Sequence, residues 1–291
     1  MPELPEVETV RRGLDSLLPG RRIVSVDSDW PKSFPNAAAD VREFLRGAAV
    51  TAVRRRAKVL IIDLDSDYSL VIHLKMTGQL VFRGQGERFG AGHPNASLVG
   101  DLPDKSTRVI LAFKDGSRLF FNDQRKFGWM RLLPTVEVAN LDFFQKVGPE
   151  PLSANFTVED FIFRLSRRAG SAIKAALLDQ TVVAGIGNIY ADESLWAAQI
   201  HPATKVQNVP SAQLKKLYTV IREVMHVAIE KGGSTDRNYV NAEGKKGSYL
   251  SFAKVFRRDG DACLRCGTTI AKLRVAGRGT HICPHCQKQA S

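Results

Sequence analysis

Four cysteines are the residues of this 291-residue chain whose type and spacing most plainly point to chemistry. They fall in its last 29 residues, as Cys263-x2-Cys266 and Cys283-x2-Cys286 with sixteen residues between the pairs. That spacing is a zinc signal. Four thiolates leave a tetrahedral ion no open position, so one structural Zn2+ is expected and not a catalytic one. Disulfides are the competing assignment, but no secretory signal points to an oxidising compartment. His281 and His285 are close by, yet four cysteines suffice. A ribbon of this kind presents basic residues on its hairpin, and Arg278 in VAGRGTH, between two glycines, is placed like such a tip.

The second unusual stretch is the start, MPELPEVETV. Pro2 stands beside Glu3 at the tip of the chain, where most proteins fray. Pro5 suits the first turn of a helix. Glu6 and Glu8 follow at the positive end of the helix dipole. Val7, Val10, Leu14 and Leu17 or Leu18 form an apolar face, and Pro19-Gly20 stop the helix. Only four residues precede it, so the N-terminus is expected to be short and held in place.

Lys and Arg outnumber Asp and Glu by 42 to 30, a formal net charge of +12. Such an excess points to a polyanionic partner. The charge is patchy, which fits phosphate contact better than a uniform coat. From Lys254 onward there are eight basic residues against Asp259 and Asp261, and Arg54-Arg55-Arg56 with Lys58 run directly into VLIIDL. No run of about 18 apolar residues occurs, so no membrane span is expected. A soluble cytoplasmic protein is the expectation.

Residues 21–134 read as strands: RRIVSVDS, TAVRRRAKVLIIDL, YSLVIHLKMTGQLVF, TRVILAFKDGSRLFFND and FGWMRLLP, with Asp115-Gly116 as a hairpin turn. Residues 84–106 read as a long polar loop or insertion. VGPEPLSAN reads as a linker. Beyond it the period is helical. Thr157 can cap a helix through Arg168, SAIKAALLDQ is a short helix, and Ser211 caps a longer one ending at Gly232-Gly233.

MPELPEVETV, AGIGNIYADE, the VAGRGTHICPHC hairpin and the basic four-cysteine ribbon together resemble the bacterial formamidopyrimidine-DNA glycosylase family, across essentially the whole chain and in order. Leu4, where the endonuclease VIII group usually has Gly, favours the purine-lesion branch. The resemblance implies an α+β architecture. An N-terminal antiparallel β-sandwich with an N-terminal helix spans residues 1–134, and a linker spans 135–151. A helical helix–two-turn–helix domain follows at 152–253, and a zinc ribbon at 254–291. It implies a bifunctional DNA glycosylase and lyase that acts as a monomer on double-stranded DNA containing an oxidised base.

In the family Met1 is removed, as a small second residue permits, and the Pro2 amine attacks C1′ of the damaged nucleotide. The chemistry is sound. An α-amino group has a reference pKa near 8, against about 10.4 for Lys, so more of it is neutral near pH 7. A secondary amine gives an iminium that is already cationic, an electron sink for elimination. Glu3 is then the general acid or base at the sugar, and Glu6 an orienting residue at the helix start. Lys58 lies near the target and contacts phosphate.

Chemistry on a base inside a duplex requires extrusion. Met76 in HLKMTG, with Arg125 and Phe127 in NDQRKFG, match the family's void-filling trio. His73, Lys174, Asn188, Lys272 and Arg278 match its DNA contacts, and Arg278 is also counted with the catalytic residues Pro2, Glu3 and Lys58. Asn188 opens a helix after Gly185-Ile186-Gly187, where backbone N–H groups can hold phosphate. The stretch 232–247 matches the loop over the extruded base, with Ser234, Asp236, Arg237, Asn238 and Tyr239 as candidates.

Two departures stand out. Phe256 and Arg257 occupy the family's usual Tyr-Gly positions, which puts one phosphate contact in doubt, and the 84–106 segment is long. Two rival functions remain at this point. One is the same chemistry on oxidised pyrimidines. The other is a non-catalytic zinc-ribbon DNA-binding paralogue, which would have no reason to keep Pro2 and Glu3 together.

Overall fold

The computed structural model describes residues 1–93, 95–234 and 249–289. They fall into two compact units, one of Met1–Gln145 and one of Lys146–Ser234 with the residues from Tyr249 onward.

The first unit begins with helix α1 (Leu4–Asp15). Leu4, Val7, Val10 and Leu14 are fully buried, each contributing about 1.5–3 kcal/mol relative to exposure. The helix is tied to the strands by side chains as well. Asp15 accepts from Val53 N–H at 2.9 Å, and Glu8 accepts from Arg55 at 3.0 Å.

Two antiparallel sheets follow. One has the order β1-β7-β8-β5-β6, from β1 (Ile23–Ser28), β5 (Gly78–Arg83), β6 (Arg88–Gly92), β7 (Thr107–Phe113) and β8 (Arg118–Asp123). The other has the order β2-β3-β4-β9, from β2 (Val50–Arg56), β3 (Val59–Leu64), β4 (Tyr68–His73) and β9 (Trp129–Pro134). Their inner faces share one core that includes Val53, Leu60, Ile62, Leu70, Ile72, Leu80, Phe82, Val109, Leu111 and Phe121. A short helix α2 (Ala38–Asp40) runs into a wider turn over Val41–Leu45. The outer face of β3 is covered too. Val59, Ile61 and Val71 pack with Val138, and Phe143 and Phe144 of α3 (Asp142–Lys146) lie against them. Burial on both faces explains why VLIIDL is a continuous apolar run and not an alternating one.

The 84–106 segment is more ordered than a polar loop. It supplies β6 along the edge of β5, with Phe82 opposite Phe89, and a 3₁₀ turn at Ala96–Leu98. Phe89 lies so close to Gly13 of α1 that a Cβ there would meet the ring at 2.1 Å. An edge strand therefore forms from a sequence with little alternation, because pairing and one buried aromatic decide it.

The second unit is built on α4 (Val158–Ser166), α5 (Ile173–Leu178), α6 (Asn188–Ala198), α7 (Ser211–Glu230) and α8 (Tyr249–Phe252). Thr157 caps α4 through its hydroxyl, as expected. Ser211 does not cap α7. It is the first helical residue, and Pro210 sits at the cap position without a side-chain bond. The unit ends in the hairpin β10 (Ala271–Val275) and β11 (Arg278–Ile282). Its two-residue turn places both Ala276 and Gly277 at positive φ, the geometry that suits the twist of a tight hairpin.

Candidate active site and nucleic-acid interface

In the first unit, the start of α1 fixes the expected reactive end. Glu6 Oε2 accepts from the Glu3 N–H at 2.7 Å, the return half of a capping box. Pro2 is buried, and Glu3 and Glu6 are only 4% and 9% exposed. The α-amine of Met1 has a lowered pKa. Burial is the main cause, and Lys58 and Arg125 add to it against the opposing pull of Glu3 and Glu6. The four side chains that set the amine's electrostatics are thus all residues the sequence singled out. Lys58 is itself buried, in the tight turn Ala57-Lys58 between β2 and β3, where Ala57 takes a positive φ.

The basic run next to Lys58 is partly committed within the fold. Arg54 is paired with Asp63 at 2.6 Å and Arg55 with Glu8 at 3.0 Å. Much of this patch is therefore neutralised locally and not offered whole to a polyanion.

His73 ends β4, packed between Trp129 and Phe143. Its Nδ1 accepts from the Lys75 N–H at 3.0 Å, which leaves Nε2 to carry the proton in the neutral ring. Burial, then the charges of Lys75 and Lys58, push its pKa down to about 3. A neutral N–H donor is thus held ready at neutral pH.

Two tips lie next to each other because the chain crosses between the sheets twice at one place. The link from β4 to β5 carries Met76, and the link from β8 to β9 carries Arg125 and Phe127. His73 pairs with Trp129 on one sheet and Gly78 with Asp123 on the other. Met76 is 37% and Phe127 54% exposed, so neither packs in the core. The Arg125 guanidinium stacks 4.9 Å from the Phe127 ring centroid.

In the second unit, Gln180 shapes the turn before α6. Its amide donates to Leu178 O and Ile186 O, and its Oε1 accepts from Gly185 N–H. Gly185 has φ +82°, open to glycine at little cost. Asn188 then starts α6, donating to Gly279 O at 3.0 Å. Arg278 and Lys272 are exposed on the hairpin.

Lys174 is a correction. Matched to DNA contact, it is instead fully buried, with Nζ on Asp192 Oδ1 at 2.6 Å, Thr280 Oγ1 at 2.7 Å and Gly279 O at 3.2 Å. An ammonium so enclosed braces the hairpin. Asp192 also accepts from His281 N–H at 2.9 Å. Glu193 accepts from the N–H groups of Lys254, Val255 and Phe256 at 2.8–2.9 Å, fixing the root of the ribbon. Burial raises the pKa of Glu193 although those three bonds oppose it. Both carboxylates lie in AGIGNIYADE, where no spacing signal marks their roles. Arg257 takes φ +59°, the region where glycine is easiest, which explains a glycine preference there.

The four cysteine sulfurs lie within 4.8 Å of one another. Tetrahedral Zn–S bonds of about 2.3 Å require sulfurs roughly 3.8 Å apart, so the set fits the ion. The N–H groups of Arg265 and Cys286 point to the sulfurs of Cys263 and Cys283 at 3.4 Å. Of the lid candidates, Ser234 is partly exposed, while Asp236, Arg237, Asn238 and Tyr239 lie outside the described residues.

Residues 1–130 match the formamidopyrimidine-DNA glycosylase N-terminal domain and residues 147–239 its H2TH domain. Residues 260–289 match a zinc finger found in FPG and IleRS. The formamidopyrimidine-DNA glycosylase of Herpetosiphon aurantiacus is 42% identical over 290 residues, covering 99% of this chain and all of that one. The chain belongs to the formamidopyrimidine-DNA glycosylase family. A mutant of the Lactococcus lactis family member, solved in complex with Fapy-dG containing DNA, superposes with a TM-score of 0.87 at 35% identity. That match covers 99% of this chain and 100% of the other. MutM in complex with carbocyclic 8-oxo-G containing DNA gives 0.85 at 35% identity, with the same coverage. Within this glycosylase family the four-cysteine cluster is a structural zinc site. Among the described residues no helix is long and apolar enough to cross a membrane.

Proposed function

We propose that this chain excises oxidised purines, 8-oxoguanine and formamidopyrimidines, from double-stranded DNA and then cuts the strand. The observation that carries the reading is the α1 start. Pro2, whose nitrogen becomes the terminal amine once Met1 is gone, is buried next to the buried carboxylates of Glu3 and Glu6, at an end of the chain where burial lowers the pKa of the Met1 amine. The family's DNA-bound relatives support the substrate class.

Met1 must leave first, because the Pro2 nitrogen is an amide while Met1 is attached. The freed secondary amine attacks C1′, the N-glycosidic bond breaks, and the base departs with its electron pair and a proton. Glu3 is the acid and base at the sugar. The sugar ring then opens as the C1′–O4′ bond breaks, with Glu3 giving O4′ its proton, and C1′ becomes an iminium with the Pro2 nitrogen. That iminium draws electrons, so the 2′ proton can be removed and the 3′ phosphate expelled. A second elimination expels the 5′ phosphate, and water releases Pro2. Met76 and Phe127 fill the vacated stack, and Arg125 meets the orphaned base. His73 donates Nε2–H to phosphate, and Asn188, Lys272 and Arg278 hold phosphates from the second unit.

In this reading residues 1–134 carry the chemistry, 135–151 link, and 152–253 with 254–291 bind DNA. The protein works as a monomer in the bacterial cytoplasm, at the nucleoid. Excision assays on duplexes carrying either 8-oxoguanine opposite cytosine or thymine glycol test it. Preferential release of 8-oxoguanine is expected. Preferential release of thymine glycol would move the chain to oxidised pyrimidines, and cleavage of neither would leave a DNA-binding protein.

A further inference from the structure

We propose that Asp123 is the positioning residue of the void-filling tips, setting the Met76 tip against the Arg125–Phe127 tip before DNA arrives. This deepens the glycosylase reading and rests on it. Asp123 is fully buried at the end of β8. A carboxylate removed from water is costly unless its oxygens are satisfied. The donors that reach it belong to the two tips. Thr77 Oγ1 and Arg125 N–H (3.2 Å) meet Oδ1, and Gly128 N–H meets Oδ2 at 2.6 Å. Arg125 N–H is shared with Thr77 Oγ1 at 3.1 Å, which closes a small network spanning both crossovers.

The surrounding backbone is shaped to the same end. Lys75 and Lys126, immediately before Met76 and Phe127, have φ +50° and +58°. That left-handed geometry costs a non-glycine residue about 1–2 kcal/mol. Gly128 has no room for a side chain, since a Cβ would lie 2.7 Å from Phe121 and 3.1 Å from Asp123. Gly78 is equally constrained, with Leu74 O at 2.4 Å from its Cβ position. Two strained turns that expose large apolar side chains are thus fastened to one buried carboxylate. Pre-set geometry lowers the ordering cost of insertion, and misplacement by about 1 Å can cost on the order of 100-fold in rate.

The test compares two substrates. Base release from an 8-oxoguanine duplex needs the tips to enter the stack. Strand cleavage of a single-stranded oligonucleotide with a preformed abasic site does not. Asp123→Asn keeps the shape but offers a donor where an acceptor is needed. Thr77→Val removes the hydroxyl link, and Thr77→Ser keeps it. Asp123→Asn and Thr77→Val are expected to lose about 10- to 100-fold on the duplex while single-strand cleavage stays within about twofold. Thr77→Ser is expected to match the parent. A parallel fall on both substrates, or an unchanged duplex rate, would overturn the inference. If Asp123→Asn does not fold, Thr77→Val decides. An inactive parent chain overturns the glycosylase reading and this inference with it. An active parent with unaltered variants overturns this inference alone.

Discussion

The Lys75 N–H donates to His73 Nδ1 at 3.0 Å, locking the imidazole as a neutral Nε2–H donor inside an aromatic cage. That bond carries a consequence for stability. The pKa of His73 falls from 6.5 to about 3 on folding, chiefly by burial. A base whose folded pKa is depressed destabilises the fold as pH drops below its unfolded value, because only the unfolded chain takes up the proton. The loss begins near pH 6.5 and continues until about pH 3. Urea denaturation of the parent and of His73→Gln at about pH 7 and about pH 5 measures it. The parent should lose about 2 kcal/mol more than the variant over that interval. Equal losses would mean His73 is protonated in the fold.

Arg257 at φ +59° holds a conformation that glycine adopts with less strain. Arg257→Gly should stabilise the protein by roughly 0.5–1 kcal/mol in thermal denaturation. If the guanidinium also replaces the missing tyrosine contact, DNA affinity falls in the same variant. A less stable Arg257→Gly would show that the side chain's packing outweighs its backbone strain.

The two ends of the chain were legible in the sequence because their signals are local. The helix start follows from Pro5 and Glu6, and the ribbon from cysteine spacing. Strand positions followed from runs of Val, Ile and Phe. The remainder depends on distant partners. RFGAG reads as loop until Phe89 is seen filling the space above Gly13. Lys174 in SAIKAALL looks like an exposed helical lysine or a phosphate ligand, and only Asp192 and Thr280, 18 and 106 residues away, make it a buried strut. Asp123 ends an ordinary strand in FFND. Its importance comes from Thr77, 46 residues earlier, which no spacing rule reveals.

The ribbon's own core is small, with Val255, Ile270, Cys263 and Cys283 packed on Trp196. So few apolar residues cannot hold it without a metal. Metal analysis should find one zinc per chain. Cys283→Ser should lose the zinc and weaken DNA binding at least about tenfold, since the Arg278 tip depends on the ribbon. Zinc retained at full stoichiometry by Cys283→Ser would contradict the four-sulfur assignment.

Arg278 is exposed at the hairpin tip and its backbone neighbour Gly279 is held by Lys174 and Asn188. Arg278→Ala should weaken DNA binding and reduce the slope of log affinity against log salt by about 0.9, the signature of one lost phosphate contact. An unchanged slope would remove Arg278 from the interface.

The central claim is that the terminal amine beside Glu3 is the nucleophile. Borohydride trapping on a duplex with one 8-oxoguanine opposite cytosine, followed by mass mapping of the cross-linked peptide, tests it most directly. The account predicts a covalent adduct on Pro2, with Met1 gone. An adduct on Lys58, or none on this duplex or on an abasic one while DNA binding persists, would contradict it.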